Sequence, residues 1–410
     1  MIIKQYIKDF ENLGFGMFVH YGLYSLLAGG EWIKRNNNVP DEIYNSLILK
    51  FNPQKDWAEK LAKTAKNAGC RYITLTARHH DGFSLYDTCG MNSFDALHSL
   101  CGRDLIKEFT VACHRNGLIP FFYHTLIDWH EESYRTDFPA YLKYLRNSIR
   151  LLCTNYGKIG GFWFDGMWEN PEADWDEDAL YGMIRSLQPD AMLINNTGMV
   201  ARGKLGHIEL DSVTFERGKP LPINLEDSPK YIASEMCEIL CDHWGYARDD
   251  FNYKSPSQMI EELAECRKYG SNFLLNVGPT ENGELRSIDK AYIDLIGDWM
   301  HYYGEAVYTP KPTNIAVKNK ERDFILKNGN VYYLFCFGLP MVSDSNVALY
   351  EEGSYEDTFK LNKRVISVNW LDTGKPLIFT QENDKITIMT EPFDYGRNTV
   401  VRVAKIKCEQ

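Results

Sequence analysis

Between roughly residues 15 and 280, polar stretches with an apolar residue at every third or fourth position alternate with short, nearly unbroken apolar runs. In DWAEKLAKTAKNAG (56–69), Trp57, Leu61 and Ala65 fall four apart on one face of a helix, and Gly69 stands where the helix must stop. RYITLTARHHDGF then predicts a strand. The same unit of helix, glycine and strand recurs in RDLIKEFTVACHRNG with LIPFFYHT, in AYLKYLRNSIRLLCTNYG with GGFWFDG, and in SPSQMIEELAECRKYG with SNFLLNVGP. In the last, Ser255 suits the N-cap, Pro256 the first helical position and Gln258 a capping box. FGMFVHYGLY, AMLINN (191–196), DSVTFE (211–216) and YIASEMC (231–237) are further strand candidates. About eight strands joined through helical segments predict a (β/α)8-type barrel rather than a doubly wound sheet. No G-x-G-x-x-G or P-loop supports a nucleotide-binding alternative.

After the helix IDKAYIDLIGDWMHYYG and the proline-containing joint YTPKPTN (308–314), the pattern changes. NVYYLFCF, KRVISVNWL, KITIMT and NTVVRVAKI are short β-branched and aromatic runs bounded by turn residues, which predicts a small antiparallel β-sandwich. The expected division is a catalytic barrel over 1–307 and a C-terminal β-sandwich over 312–410.

The net charge of −11, with no lysine and arginine block, argues against a nucleic-acid or anionic-membrane surface and for small-molecule chemistry. The ten cysteines are scattered without zinc-ligand spacing and read as reduced thiols. No apolar run long enough for a membrane span, or for a signal peptide at the start, is present, so a cytoplasmic protein is expected. Nothing in the pattern sets an oligomeric state.

Candidate chemistry sits where a barrel places it, at the C-terminal ends of strands. These ends carry His20, the run His79-His80-Asp81, Tyr123 and His124, Asp165 and Glu216. In GFWFDG, alternation sends Phe162 and Phe164 toward the helices and Trp163 and Asp165 toward the axis, and Gly166 allows an immediate turn. Several imidazoles with a carboxylate are compatible with a zinc-dependent hydrolase. No H-x-H aims two rings at one ion, however, and adjacent His79 and His80 reach one site only if the chain has left the strand. Neutral imidazoles with the indoles of Trp32, Trp163 and Trp244 also suit a sugar, which offers hydroxyls and flat C–H faces, and a sugar is the favoured reading over a metal.

At these residues the sequence resembles the alpha-L-fucosidases of glycoside hydrolase family 29. The segments that carry the likeness are FGMFVHYGLYSLLAGGEW, ARHHDGFSLYDT, FFYHTLIDWH, GFWFDGMW, HWGYARDDFNYKS and NFLLNVGPTENGEL. The resemblance implies a cofactor-free and metal-free retaining exo-glycosidase acting on L-fucose-containing oligosaccharides, with Asp165 as nucleophile. It implies that His20, Glu31, Trp32, His79, His80, Trp163 and Trp244 line the fucose pocket. It also implies that His124, where many members have a tyrosine, contacts the sugar or Asp165. Many members have an arginine shortly after the fifth strand; here Asn196 or Thr197 stands in that neighbourhood. Glu216 is the expected general acid/base, ahead of Glu31 and then Glu235. The loop NLEDSPK (224–230) is expected to bear on the leaving group. The competing readings are a catalytically silent fucose-binding barrel and the zinc hydrolase.

Overall fold

The computed structural model describes residues 2–196, 205–223, 228–318, 320–342 and 355–409. Two compact units are formed, Met1–Lys254 with Asn272–Asp294, and Ser255–Ser271 with Leu295–Gln410. The helix Pro256–Lys268 and the later turns of the helix Ser287–Val307 therefore group with the sandwich, although they alternate with barrel strands in sequence.

In the first unit eight parallel strands close in sequence order, with β1 beside β8. They are β1 (Phe15–Val19), β2 (Tyr72–Arg78), β3 (Ile119–Thr125), β4 (Gly161–Asp165), β5 (Met192–Asn195), β6 (Ser212–Glu216), β7 (Ala233–Ile239) and β8 (Asn272–Val277). Alternate side chains fill the barrel: Phe18, Tyr72, Phe121, Tyr123, Trp163, Met192, Ile194, Cys237 and Leu274 form one buried cluster. Gly16 of β1 is required there, because a Cβ would lie 2.4 Å from the ring of Tyr72. The opposite face of β4 meets the helices: Phe162 and Phe164 stack at 5.6 Å, and Phe164 lies 6.0 Å from Tyr181 of the helix Glu177–Leu187. The predicted N-cap of the helix Pro256–Lys268 is present, with Ser255 accepting from the Gln258 amide, but the Gln258 side chain donates to Glu262 at 2.8 Å instead of closing the capping box. Among the described residues no helix joins β6 to β7.

The strand β2 departs from simple alternation. Thr76 pairs with Tyr123 but Arg78, not Ala77, pairs with His124, so β2 carries a bulge at its end. Arg78 consequently lies among Tyr86 and Tyr144, 5.6 and 4.9 Å from their rings. The chain then turns back, with the Gly82 amide donating to the carbonyl of His79.

In the second unit an antiparallel five-stranded sheet and a three-stranded sheet enclose a core that includes Leu334, Val368, Trp370 and Ile406 from the first and Phe359, Ile386 and Ile388 from the second. No helix among the described residues is long and apolar enough to cross a membrane.

Candidate active site

A cavity of about 340 Å³ opens among the C-terminal strand ends, lined by His20, Glu31, Trp32, His79, His80, Trp163, Asp165, Glu216 and Trp244 together with Phe18, Tyr123, Trp168, Asn196, Arg217 and Asp242. Of the ten side chains expected to serve as nucleophile, acid/base or sugar contact, nine thus meet in one place and His124 does not. The bulge in β2 explains how neighbouring His79 and His80 both do so: each lies beyond the end of the strand.

Asp165 ends β4 at the mouth, its side chain 14 % exposed. Gly166 follows at φ +110°, a conformation that suits glycine, and a Cβ there would crowd Ile127 at 3.1 Å. Tyr123 donates its hydroxyl to Asp165 Oδ2 at 3.0 Å, with His80 Nε2 3.5 Å from the same oxygen. The Asn196 amide donates to Oδ1 at 3.2 Å. Burial pushes the pKa of Asp165 up, but the hydrogen bond and charge of His80 and the bonds from Tyr123 and Asn196 outweigh it, leaving the carboxyl below its ordinary range.

Glu216 ends β6, and its Oε2 accepts from the same Asn196 nitrogen at 2.6 Å. One amide therefore bridges both carboxylates, whose facing oxygens are no more than about 6 Å apart. Thr214 donates to Asn196 Oδ1 at 3.2 Å, which orients that amide with its nitrogen toward the acids. Burial first, and the charge of Asp165 second, raise the pKa of Glu216 to about 7 against the opposing bond from Asn196. Two carboxyls in one cavity are thus driven apart, one toward the ionised form and one toward the protonated form.

His20 and His79 are held as neutral hydrogen-bonding groups. His20 Nδ1 lies 2.7 Å from Asn276 Oδ1, while Asn276 donates its nitrogen to the carbonyl of Trp244 at 2.7 Å. That network assigns the proton to Nδ1 and leaves Nε2 as an acceptor. Burial lowers the pKa of His20 to about 3 and holds that of His79 well below the usual range. His80 Nδ1 lies 2.7 Å from Thr125 Oγ1. Phe18 and Trp163 meet edge to face at 5.1 Å, and Trp244 lies 5.2 Å from the ring of His20.

Glu31 is buried, and its Oε2 accepts from the amides of Trp244 and Gly245 at 3.1 and 2.8 Å, tying the loop that carries Trp244 to the loop after β1. Glu235 lies inside the barrel, accepting from Trp163 Nε1 at 3.0 Å and from the Tyr72 hydroxyl, and does not line the cavity. Burial raises its pKa to about 7 against these two bonds. A carboxyl raised by folding contributes stability that is fully present below the unfolded range and is lost as pH climbs through about 7. Glu235→Gln, neutral at every pH, should therefore remove part of the stability loss of the wild type between about pH 5 and 8, on the order of 1 kcal/mol. Thermal melts across that range check this; a difference between the two proteins that does not change with pH would contradict it.

The structure corrects the expectation for His124. It is fully buried outside the cavity, its Nδ1 2.7 Å from the carbonyl of Thr125 and its Nε2 3.4 Å from the Tyr86 hydroxyl. The register explains this: Tyr123 pairs with Trp163, which faces the axis, and His124 with Phe164, which faces the helices. Tyr123 therefore reaches Asp165, and the alternation already applied to β4 could have identified it. Trp168, Arg217 and Asp242 carried no such signal, because they lie beyond the strands, Trp168 in the single 3-10 turn Met167–Glu169 and the other two in loops. Thr197 and residues 224–227 of the loop 224–230 lie outside the described residues. Among the described residues, the group of side chains close enough to share a metal ion is Asp323, Cys336 and Asp357 in the second unit, where the ammonium of Lys320 already lies 2.9 Å from Asp357; the pocket histidines form no such group.

The Alpha-L-fucosidase family model matches residues 3–305. The rat tissue alpha-L-fucosidase is 26% identical over 355 residues, 80% of this chain and 75% of that protein. The structure of alpha-L-fucosidase isoenzyme 1 from Paenibacillus thiaminolyticus superposes with a TM-score of 0.84 at 29% identity, covering 99% of each chain. A fucosidase from Bacteroides thetaiotaomicron, trapped as a covalent intermediate with 2-fluoro-fucosyl fluoride, shares the fold at 24% identity and a TM-score of 0.81, covering 99% of this chain and 97% of that one. Since the family match runs through all eight strands that supply the cavity rather than through one motif, the chain belongs to the alpha-L-fucosidase family.

Proposed function

We propose that the protein is a retaining exo-α-L-fucosidase acting on fucosylated oligosaccharides, with Asp165 as nucleophile and Glu216 as general acid/base. The observation that carries the reading is the single amide of Asn196 between two carboxyls of opposite protonation tendency. Retaining enzymes need their carboxyls about 5–5.5 Å apart, whereas inverting enzymes leave room for a water at about 6.5–9.5 Å. The limit near 6 Å set by Asn196 suits direct attack.

In this scheme Asp165 attacks the anomeric carbon while Glu216 gives its proton to the departing oxygen. Glu216, now ionised, takes a proton from water, which attacks the glycosyl ester and releases L-fucose with its configuration retained. The trapped intermediate of the Bacteroides relative supports a covalent route. His20 Nε2 offers an acceptor to a sugar hydroxyl, and the apolar rings of Phe18, Trp163 and Trp244 suit the methyl group at C5. Such a pocket discriminates against an added hydroxyl by only about 1–3 kcal/mol, so slower turnover of α-L-galactosides is expected.

Proton NMR of an aryl α-L-fucoside digest tests the assignment: α-L-fucose should accumulate first, and β-L-fucose appearing first would overturn it. Asn196→Ala should lower kcat/KM by roughly 10- to 100-fold, the worth of a hydrogen bond to a charged group. Because the Asn196 bonds depress both carboxyls, both limbs of its pH–rate profile should move to higher pH. Unmoved limbs would show that Asn196 does not act on the acids.

A further inference from the structure

We propose that the cavity wall beside Glu216 binds the leaving-group sugar, with Arg217 as its main contact and Asp242 as a second polar wall. This rests on Glu216 being the acid/base. An acid must lie within hydrogen-bond reach of the oxygen it protonates. The sugar that leaves is attached through that oxygen, so it begins at Glu216 and extends over the residues next to it.

Arg217 is placed for this by its backbone. It adopts φ +49°, in the left-handed region that residues with a Cβ seldom occupy, and its amide donates to the carbonyl of Cys237 in β7 at 3.0 Å. A continued strand would send the side chain after Glu216 to the opposite face. After the left-handed turn, Glu216 and Arg217 both line the cavity. Among the described residues, the guanidinium of Arg217 has no ion pair and no hydrogen bond. Asp242, also exposed on the cavity wall, is steadied by Asn252 Nδ2, which lies 3.2 and 3.0 Å from its two oxygens.

The pair defines a chemical class. A guanidinium offers a rigid fork of donors and an ionised carboxylate only acceptors. Neighbouring hydroxyls of a pyranose satisfy both, whereas an aryl leaving group satisfies neither. The position of those hydroxyls relative to the glycosidic oxygen changes with linkage, and an α1,6 bond adds a carbon between oxygen and ring. Arg217 therefore determines which linkage is cleaved best.

The test compares α1,2-, α1,3-, α1,4- and α1,6-fucosyl disaccharides with an aryl α-L-fucoside in wild type, Arg217→Gly and Arg217→Lys. Glycine suits the left-handed turn, so the fold is kept. In Arg217→Gly, KM for the best disaccharide of the wild type should rise about tenfold with kcat within about twofold, as expected for one lost charge-assisted contact. The spread of kcat/KM across linkages should shrink, and Arg217→Lys should restore only part of it. Impaired proton transfer from Glu216 would instead lower kcat on all four disaccharides alike. Wild-type activity with an unchanged ranking in Arg217→Gly, or equal losses on the aryl fucoside and the disaccharides, would overturn this proposal alone. A wild type inert on every substrate would overturn the fucosidase reading, and this site with it.

Discussion

Asp165→Ala is expected to lower kcat on an aryl α-L-fucoside by on the order of 10⁴-fold, with the circular dichroism spectrum unchanged. The attacking oxygen is lost, and no neighbour can take its place: Tyr123, Asn196 and Trp168 all present donors to that position. Folding should tolerate the change. The carboxylate lies at the mouth of the cavity, so the donors released by its removal face a space that water can fill. Azide fits the same space and should restore turnover, producing β-L-fucosyl azide, because the anion enters from the face vacated by the carboxylate. Full activity of Asp165→Ala without azide would end the scheme.

Glu216→Ala should separate substrates by their leaving groups. A saccharide leaving group needs the proton, and losing general-acid catalysis costs about 10²- to 10⁴-fold. A nitrophenolate departs without it, so the first step on an aryl fucoside should suffer far less. Glu31 is the alternative acid, but its Oε2 is engaged by two amides. Equal losses on both substrate classes in Glu216→Ala would shift the assignment to Glu31. The pH profile gives a second reading of the same variant. In wild type, kcat/KM should rise as Asp165 ionises, below the ordinary carboxylate range, and fall as Glu216 loses its proton through about 7. The alkaline limb belongs to the pair, since the charge of Asp165 helps to raise Glu216. Glu216→Ala should lose that limb and keep the acidic one. A limb near neutrality that survives the substitution would belong to another group.

The barrel was legible because its signals are local. Helical spacing in 56–69 and 255–268, glycine stops, and apolar runs ending in His20, Asp165 or Glu216 place each element and each strand end from neighbouring residues alone. Alternation in β4 placed Asp165 on the axis face for the same reason. The error at His124 came from giving a family position to a residue whose own strand alternates the other way: Tyr123 shares the face of Trp163, and His124 does not.

By itself, then, the amino-acid order determined the eight strands, the sandwich that follows them and the side chains standing at the rim, since periodicity and turn chemistry act over a few residues. Only the tertiary structure decided which of those side chains meet. The bulge that turns His79 and His80 inward depends on pairing between β2 and β3, and the left-handed turn at Arg217 is tied to a carbonyl of β7. The opposed protonation of Asp165 and Glu216 depends on burial and on one amide between residues 51 apart in the chain. Burial and through-space charge are properties of the closed barrel, and no short stretch of sequence contains them.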